Sequence, residues 1–380
     1  MSDVPPRRFS VPELPTEIML KIFLLCDAKT LVRVQCTSHY WMETLASYEF
    51  VNELDDIWRN QGFSIFGHFG YSDNSRRTLD WIIKFNSNSG QRFPAVLPFD
   101  LGSRGWFDII GIQKGVFCFR FSRTGEFSTL LIWNPMTQHQ FWVADPIQLI
   151  ADDSSFLFSF LYFPGTLNYS IVSIFLELGE ENRCVFTTYD SMLRDWTPRV
   201  QCPDYVRKLD PAYVALNDAS YWVTWSHDEP INTAPYIISF SSLTTTFQQI
   251  SLLEEAHTTC HSLLIRDDHL CLGANTHNAQ GYNTVIWQVD FVGDQLSWSK
   301  LFNITGSGHA FIPVVMIDGD IIQVLERHVQ VEDVEDMEYT HFHLRRFFAA
   351  TGRKKSLLWV NYEDGVKLRS IHPYYEGFYP

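Results

Sequence analysis

Ile132-Trp133-Asn134-Pro135-Met136-Thr137, followed within a few residues by Phe141-Trp142, reads as an apolar strand, a polar turn and a second apolar strand. Proline has no N–H to give to a ladder and Asn suits a turn, so the break falls at Asn134-Pro135. The same arrangement returns along the chain. Tyr189-Asp190-Ser191 leads to Trp196, Ile238-Ser239-Phe240-Ser241-Ser242 to Phe247, and Val289-Asp290-Phe291 to Trp298, while Phe347-Phe348 and the Gly352 turn lead to Trp359. A second series lies between these, with turns at Gln113-Lys114-Gly115, Gly165, Asn217-Asp218, Asp267-Asp268, Asp318-Gly319 and Asp364-Gly365. Apolar strands follow them, such as Val116-Phe117-Cys118-Phe119, Tyr221-Trp222-Val223-Thr224-Trp225, Leu270-Cys271-Leu272 and Ile321-Ile322-Gln323-Val324. Each series steps by about fifty residues, and two hairpins per step make a four-stranded unit. One such sheet leaves both faces wet, so the units are expected to stack around an axis. The fold predicted is mainly β, a propeller of about six blades with seven as the fallback; an irregular sandwich is the alternative. Five units are complete and a sixth starts at Asp364. Residues near 93 to 112 are expected to supply its missing strands and close the ring through the chain ends.

Composition agrees with that reading. Of 380 residues, 46% are hydrophobic and 19% charged, which excludes a disordered chain. The 30 Phe, 16 Tyr and 12 Trp suit sheets packed face to face. A net charge of −15 opposes a phosphate-binding surface, so no nucleic-acid partner is expected. No apolar run reaches the ~18 residues of a membrane-spanning helix. Met1 to Arg8 lead into Pro12 and Glu13 rather than an apolar segment, so no secretory signal is read and a cytoplasmic and/or nuclear location is expected. The cysteines at 26, 36, 118, 184, 202, 260 and 271 form no CxxC pair and are expected to be reduced thiols; without secretion the sequons at Asn168 and Asn303 are chance matches.

Residues 12 to 60 follow a helical rhythm instead. Pro15 suits a first turn, and Ile18, Met19, Ile22, Phe23 and Cys26 follow at helical spacing. Asp27 is expected to cap a second helix from about Ala28, and Thr37 or Ser38 a third carrying Trp41 and Leu45. A fourth carries Phe50, Leu54, Ile57 and Trp58. So small a helical core needs something larger to dock on.

Leu14-Pro15-Thr16-Glu17-Ile18, then Lys21-Ile22-Phe23, Ala28 to Cys36, and Trp41, resemble the F-box motif in an ungapped match of roughly 40 residues. Plant members commonly have proline where this chain has Asp27, and Cys-Lys where it has Ser38-His39. The resemblance implies docking to a Skp-type adaptor, and through it to a cullin scaffold. The residues carried over are Leu14, Pro15, Ile18, Ile22, Phe23, Leu31, Val34, Cys36 and Trp41, some of which must form the motif's own core. The β-rich part resembles the kelch-like, F-box-associated interaction domain of plants. Its carriers are Gly115 to Cys118, Leu131 to Thr137, Tyr236 to Phe240, His269 to Leu272, and Ile286-Trp287 through Ser297 to Phe302.

Other constellations carry little chemistry. His257-Thr258-Thr259-Cys260-His261 lacks the Glu that a zinc-protease helix needs, and His341 and His343 share a strand face without a third ligand. Phosphate-loop and nucleophile-elbow motifs do not occur, and Gly306-Ser307-Gly308 reads as a loop. The acidic run Glu332 to Glu338 reads as a solvated connection, or as a negative surface for a basic partner. The expected organisation is a flexible N-terminus over 1–8, the helical F-box over 9–60, a linker over 61–98 and the propeller over 99–380. The expected function is a non-catalytic substrate receptor of an SCF-type ubiquitin ligase, with no catalytic residue, metal or cofactor. A non-degradative scaffold and a propeller enzyme with a helical cap are the alternatives.

Overall fold

The computed structural model describes residues 14–61, 64–72, 78–86, 92–94, 105–123, 128–135, 137–146, 157–163, 168–177, 183–206, 209–224, 235–254, 261–278, 281–292, 295–307, 312–317, 320–330, 338–363 and 366–374. Four helices open it: α1 (Thr16–Phe23), α2 (Ala28–Gln35), α3 (His39–Leu45) and α4 (Tyr48–Gln61). Asp27 caps α2, accepting the Thr30 N–H at 2.7 Å, and Ser38 caps α3, accepting the Trp41 N–H at 3.2 Å. Thr37 is not the cap; its hydroxyl donates to the Val34 carbonyl at the end of α2, 2.7 Å away. Phe23, Leu24, Leu31, Leu45, Phe50 and Leu54 form the small core of this head.

The strands that follow are β1 (Ser64–Ser72), β2 (Thr78–Asn86) and β3 (Arg92–Pro94), then β4 (Gly105–Gln113), β5 (Val116–Arg123), β6 (Thr129–Trp133) and β7 (Gln140–Ala144). Next come β8 (Leu157–Phe163), β9 (Asn168–Glu177), β10 (Arg183–Asp190), β11 (Asp195–Trp196) and β12 (Val200–Gln201). The third group is β13 (Leu209–Leu216), β14 (Ala219–Thr224), β15 (Tyr236–Ser241) and β16 (Thr246–Ser251). The fourth is β17 (His261–Arg266), β18 (His269–Asn278), β19 (Gly281–Val292) and β20 (Gln295–Ser307). The last are β21 (Ile312–Ile317), β22 (Asp320–Gln330), β23 (Glu338–Phe348), β24 (Arg353–Glu363) and β25 (Val366–Tyr374).

These strands make antiparallel sheets in chain order, β4 to β7, β8 to β12, β13 to β16, β17 to β20 and β21 to β24, plus a composite sheet ordered β25-β1-β2-β3. The innermost strands β4, β8, β13, β17, β21 and β25 neighbour one another in turn, and β25 returns to β4, so the sheets close a propeller ring. Each of five successive blade interfaces has its own apolar cluster. Inner strands are therefore buried on both faces, as in Leu157–Phe163, whereas outer strands such as Gln140–Ala144 are mostly exposed.

Both turn series fall where the repeat requires. Lys114 (φ 50°) and Gly115 (φ 78°) form the two-residue link of β4 to β5, and Asp267 (φ 47°) and Asp268 (φ 58°) that of β17 to β18. Asn134 is buried behind its turn, donating its N–H to the His139 carbonyl at 3.0 Å. A close approach near the axis also needs a glycine. The Tyr213 hydroxyl on β13 accepts the Phe160 N–H of β8 at 2.8 Å and sits where a side chain at Gly111 of β4 would have to go.

The ring closes differently from the expectation. Within the range expected as a linker, Ser64–Ser72, Thr78–Asn86 and Arg92–Pro94 are β1, β2 and β3, the strands β25 lacked. Gly105–Gln113 opens the first complete blade instead of completing the last one, so the ring begins at Ser64 rather than at residue 99. Asp364-Gly365, outside the described residues, joins the outer strand β24 to the inner strand β25 and is out of phase with the other turns of its series.

Candidate functional site

Helix α1 has two apolar faces. One enters the head's core through Phe23 and Leu24, with Met19 and Leu20 packed against it. The other is left in water: Leu14 is 53% exposed, Ile18 43%, Ile22 43% and Leu25 79%. Spacings of four, four and three residues put these side chains on one stripe. Glu17 and Lys21 lie on the helix beside the two apolar faces, and among the described residues nothing covers the stripe, which makes it an exposed apolar surface. Pro15 holds the N-cap position with φ −55° and ψ 143°, and its carbonyl accepts the N–H groups of Ile18 (3.0 Å) and Met19 (3.1 Å). The proline thereby fixes the angle at which Leu14 joins the stripe.

The nine residues picked from sequence divide by burial. Leu14, Pro15, Ile18, Ile22 and Cys36 are exposed. Phe23 and Leu31 are buried, so as contacts to another protein they are withdrawn; they hold the head together. Val34 and Trp41 are half-buried against the same core, the Trp41 ring meeting the Phe23 ring edge-on at 5.0 Å. Sequence reasoning missed Leu25, Tyr40 and Met42, all exposed. Leu25 was findable, since it continues the 14, 18, 22 stripe.

The head is anchored to the ring. Val51 of α4 is buried in the cluster between the first two complete blades, alongside Val116, Cys118, Tyr162 and Tyr189, while Phe50 and Leu54 of the same helix face the head's core. Only residues 62–63 separate Gln61 from β1. Ser64 pairs with Tyr374 at the end of the inner strand β25, just as Val116 pairs with Gln113. The head therefore joins the rim that carries the tight turns. The strand ends at Pro94 and Gly105, Ala144 and Leu157, Thr224 and Tyr236, and Gln330 and Glu338 lie on the opposite rim, because successive strands alternate in direction.

Little else gathers chemistry. Among the described residues no group of three or more His, Cys, Asp or Glu could hold a metal ion, and no helix is long and apolar enough to cross a membrane. His343 on β23 faces the Ser356 hydroxyl at 3.1 Å; burial, with Arg345 second, holds its imidazole below the ordinary value. Asp145, buried, accepts from Arg120 (2.8 Å) and from the Ser128 hydroxyl (2.6 Å), a satisfied structural network. His257 to Cys260, and the acidic run up to Met337, lie outside the described residues, while Glu338 opens β23.

Residues 116–332 match the F-box associated beta propeller domain family and residues 11–61 the F-box-like family. The chain is 22% identical over 328 residues to an F-box/kelch-repeat protein of Arabidopsis thaliana, covering 85% of this chain and 88% of that one. Among solved structures, YjhT resembles it with a TM-score of 0.40 at 10% identity, covering 64% of this chain and 81% of that one. The Aleuria aurantia lectin in complex with Fucα1-6GlcNAc does so with a TM-score of 0.41 at 7% identity, covering 78% and 94%.

Proposed function

The chain belongs to the F-box associated beta propeller family, and from that premise we propose that it is the substrate receptor of a Skp-cullin-F-box ubiquitin ligase. The observation that carries the reading is the uncovered stripe Leu14, Ile18, Ile22 and Leu25 on a helix whose opposite face is already packed. A Skp-type adaptor covers that stripe by apolar burial, and Cys36, Tyr40 and Met42 extend the contact beyond α1. The ring presents the rim away from the head to a target protein in the cytoplasm or nucleus. The receptor itself forms and breaks no bond. It speeds ubiquitin transfer by holding target and catalytic arm in one complex, where proximity replaces diffusion.

Co-purification with a Skp-type adaptor tests the reading. The wild-type chain is expected to retain the adaptor, and Leu14→Ala/Pro15→Ala to lose most of it. Full-strength capture by that double variant refutes the docking assignment.

A further inference from the structure

Two thiols face each other across an outer seam of the second complete blade. β10 and β12 pair antiparallel with Val185 opposite Gln201 and Phe186 opposite Val200, so the next opposed pair is Cys184 and Cys202. The Cys202 N–H donates to the Cys184 carbonyl at 2.8 Å, which holds the two residues in register. Residues so opposed have Cα atoms about 4.5–5.5 Å apart, within the ~4.4–6.8 Å span of bridged cysteines. Cys184 is half-buried, within reach of a small solute, while Cys202 is buried beside Val206 and Trp222 at the boundary with the next blade. We propose that Cys184 and Cys202 are a modification site, a dithiol that a peroxide converts reversibly to an intrachain disulfide.

The chemistry closes without another reactant. The Cys184 sulfur attacks hydrogen peroxide, the O–O bond breaks, and a sulfenic acid and one water result. The Cys202 sulfur then attacks the sulfenic sulfur, the S–O bond breaks, and a second water leaves with the Cys202 proton. Two thiols are oxidised by two electrons as the peroxide is reduced to two waters. The order of attack follows from exposure and from the thiol pair itself. The hydrogen bond from Cys202 lowers the Cys184 thiol below its ordinary value, whereas burial pushes the Cys118 and Cys271 thiols up. Oxidation pins Val200–Gln201 to β10, and with it the turn that carries Val206 under the next blade.

The test uses the full chain, treated with hydrogen peroxide, alkylated and digested without reductant. The expected result is a Cys184–Cys202 linked peptide, lighter by two hydrogen atoms than the separate peptides and lost on adding dithiothreitol. In Cys202→Ser, Cys184 is expected to accumulate a sulfenic acid that dimedone traps. Full alkylation of both cysteines after treatment that oxidises the exposed Cys36 overturns the proposal, as does a bridge from either to another cysteine. If Cys202→Ser does not fold, the wild-type peptide map decides alone.

Discussion

Replacing Leu14, Ile18 and Ile22 together by Ala separates a docking stripe from a structural one. Each substitution removes about three carbons, worth ~0.8 kcal/mol per buried CH₂, so full burial of one side chain's lost carbons is worth ~2.4 kcal/mol. Only the fraction still in water is available to a partner, and that is 53%, 43% and 43% for the three residues. The share open to an adaptor is thus ~1 kcal/mol each and about 3 kcal/mol for the triple variant, a loss of roughly 100-fold in affinity. Folding should hardly notice, because exposed substitutions usually stay within ~0.5 kcal/mol and Ala is the better helix former. Phe23→Ala is the contrasting control: it empties a buried site at ~3–5 kcal/mol and loses binding by melting the head. Titration calorimetry against a purified Skp-type adaptor, with far-ultraviolet circular dichroism of the free chain, reads both quantities. Affinity within about threefold of wild type, or loss of helix signal in the triple variant, refutes the reasoning, since either result means the stripe is not a spare surface.

Three further outcomes test the ring. Gly111→Ala should cost ~1–3 kcal/mol through its clash with the Tyr213 hydroxyl, and Tyr213→Phe ~1–3 kcal/mol by orphaning the Phe160 N–H. Together they should cost clearly less than the two added, because the hydroxyl that clashes is gone; simple additivity in urea melts counts against the contact. His372 on β25 has its Nε2 sealed from solvent, and burial, with His68 second, pulls it down to about 3. Between an unfolded value near ~6.5 and that point the unfolded chain binds a proton that the folded one does not, so stability falls as pH drops, by up to ~1.4 kcal/mol per unit. Urea midpoints from pH 7 to 4 should fall less steeply for His372→Gln, and parallel profiles would dismiss the effect. Deleting residues 366–380 removes the strand that pairs with β1 from Ser64 to Tyr71. Hydrogen exchange at the β1 amides facing β25 should then rise, while those facing β2 stay slower, and recover on adding a 366–374 peptide; unchanged protection would mean the ring does not close there.

How far the sequence could be read depended on whether a signal was local. Asp27 declared itself as a cap, and the cap of α3 narrowed to Thr37 or Ser38, because a cap is one side chain and the two or three N–H groups after it. Lys114-Gly115 and Asp267-Asp268 declared the repeat because a two-residue hairpin needs residues tolerant of positive φ. The composite sheet had no such signature. Its four strands are not consecutive, so Ser64–Ser72 and Thr78–Asn86 stand outside the sequence repeat and read as a linker, although Phe66 and Ile82 pack directly against the first complete blade. Nor could periodicity divide the nine residues of the head. In α1 both faces are apolar, and which one turns inward depends on Leu31, Leu45 and Phe50, which only the tertiary arrangement brings to Phe23.

The missing linker matters more to the proposed function than a boundary shift would suggest. A flexible chain over residues 61–98 would let the ring wander by roughly 35 Å relative to the head, and a bound target would sweep past a catalytic arm at low effective concentration. The structure replaces that tether with a step over residues 62–63 and a helix shared between two cores. Phe50 and Leu54 belong to the head and Val51 to the ring, so α4 cannot turn without exposing apolar surface on one side or the other. A head whose core is so small gains the support it lacks alone. If the chain acts as proposed above, this rigid join would hold a bound target at one distance and one angle from the head, so that proximity is set by geometry.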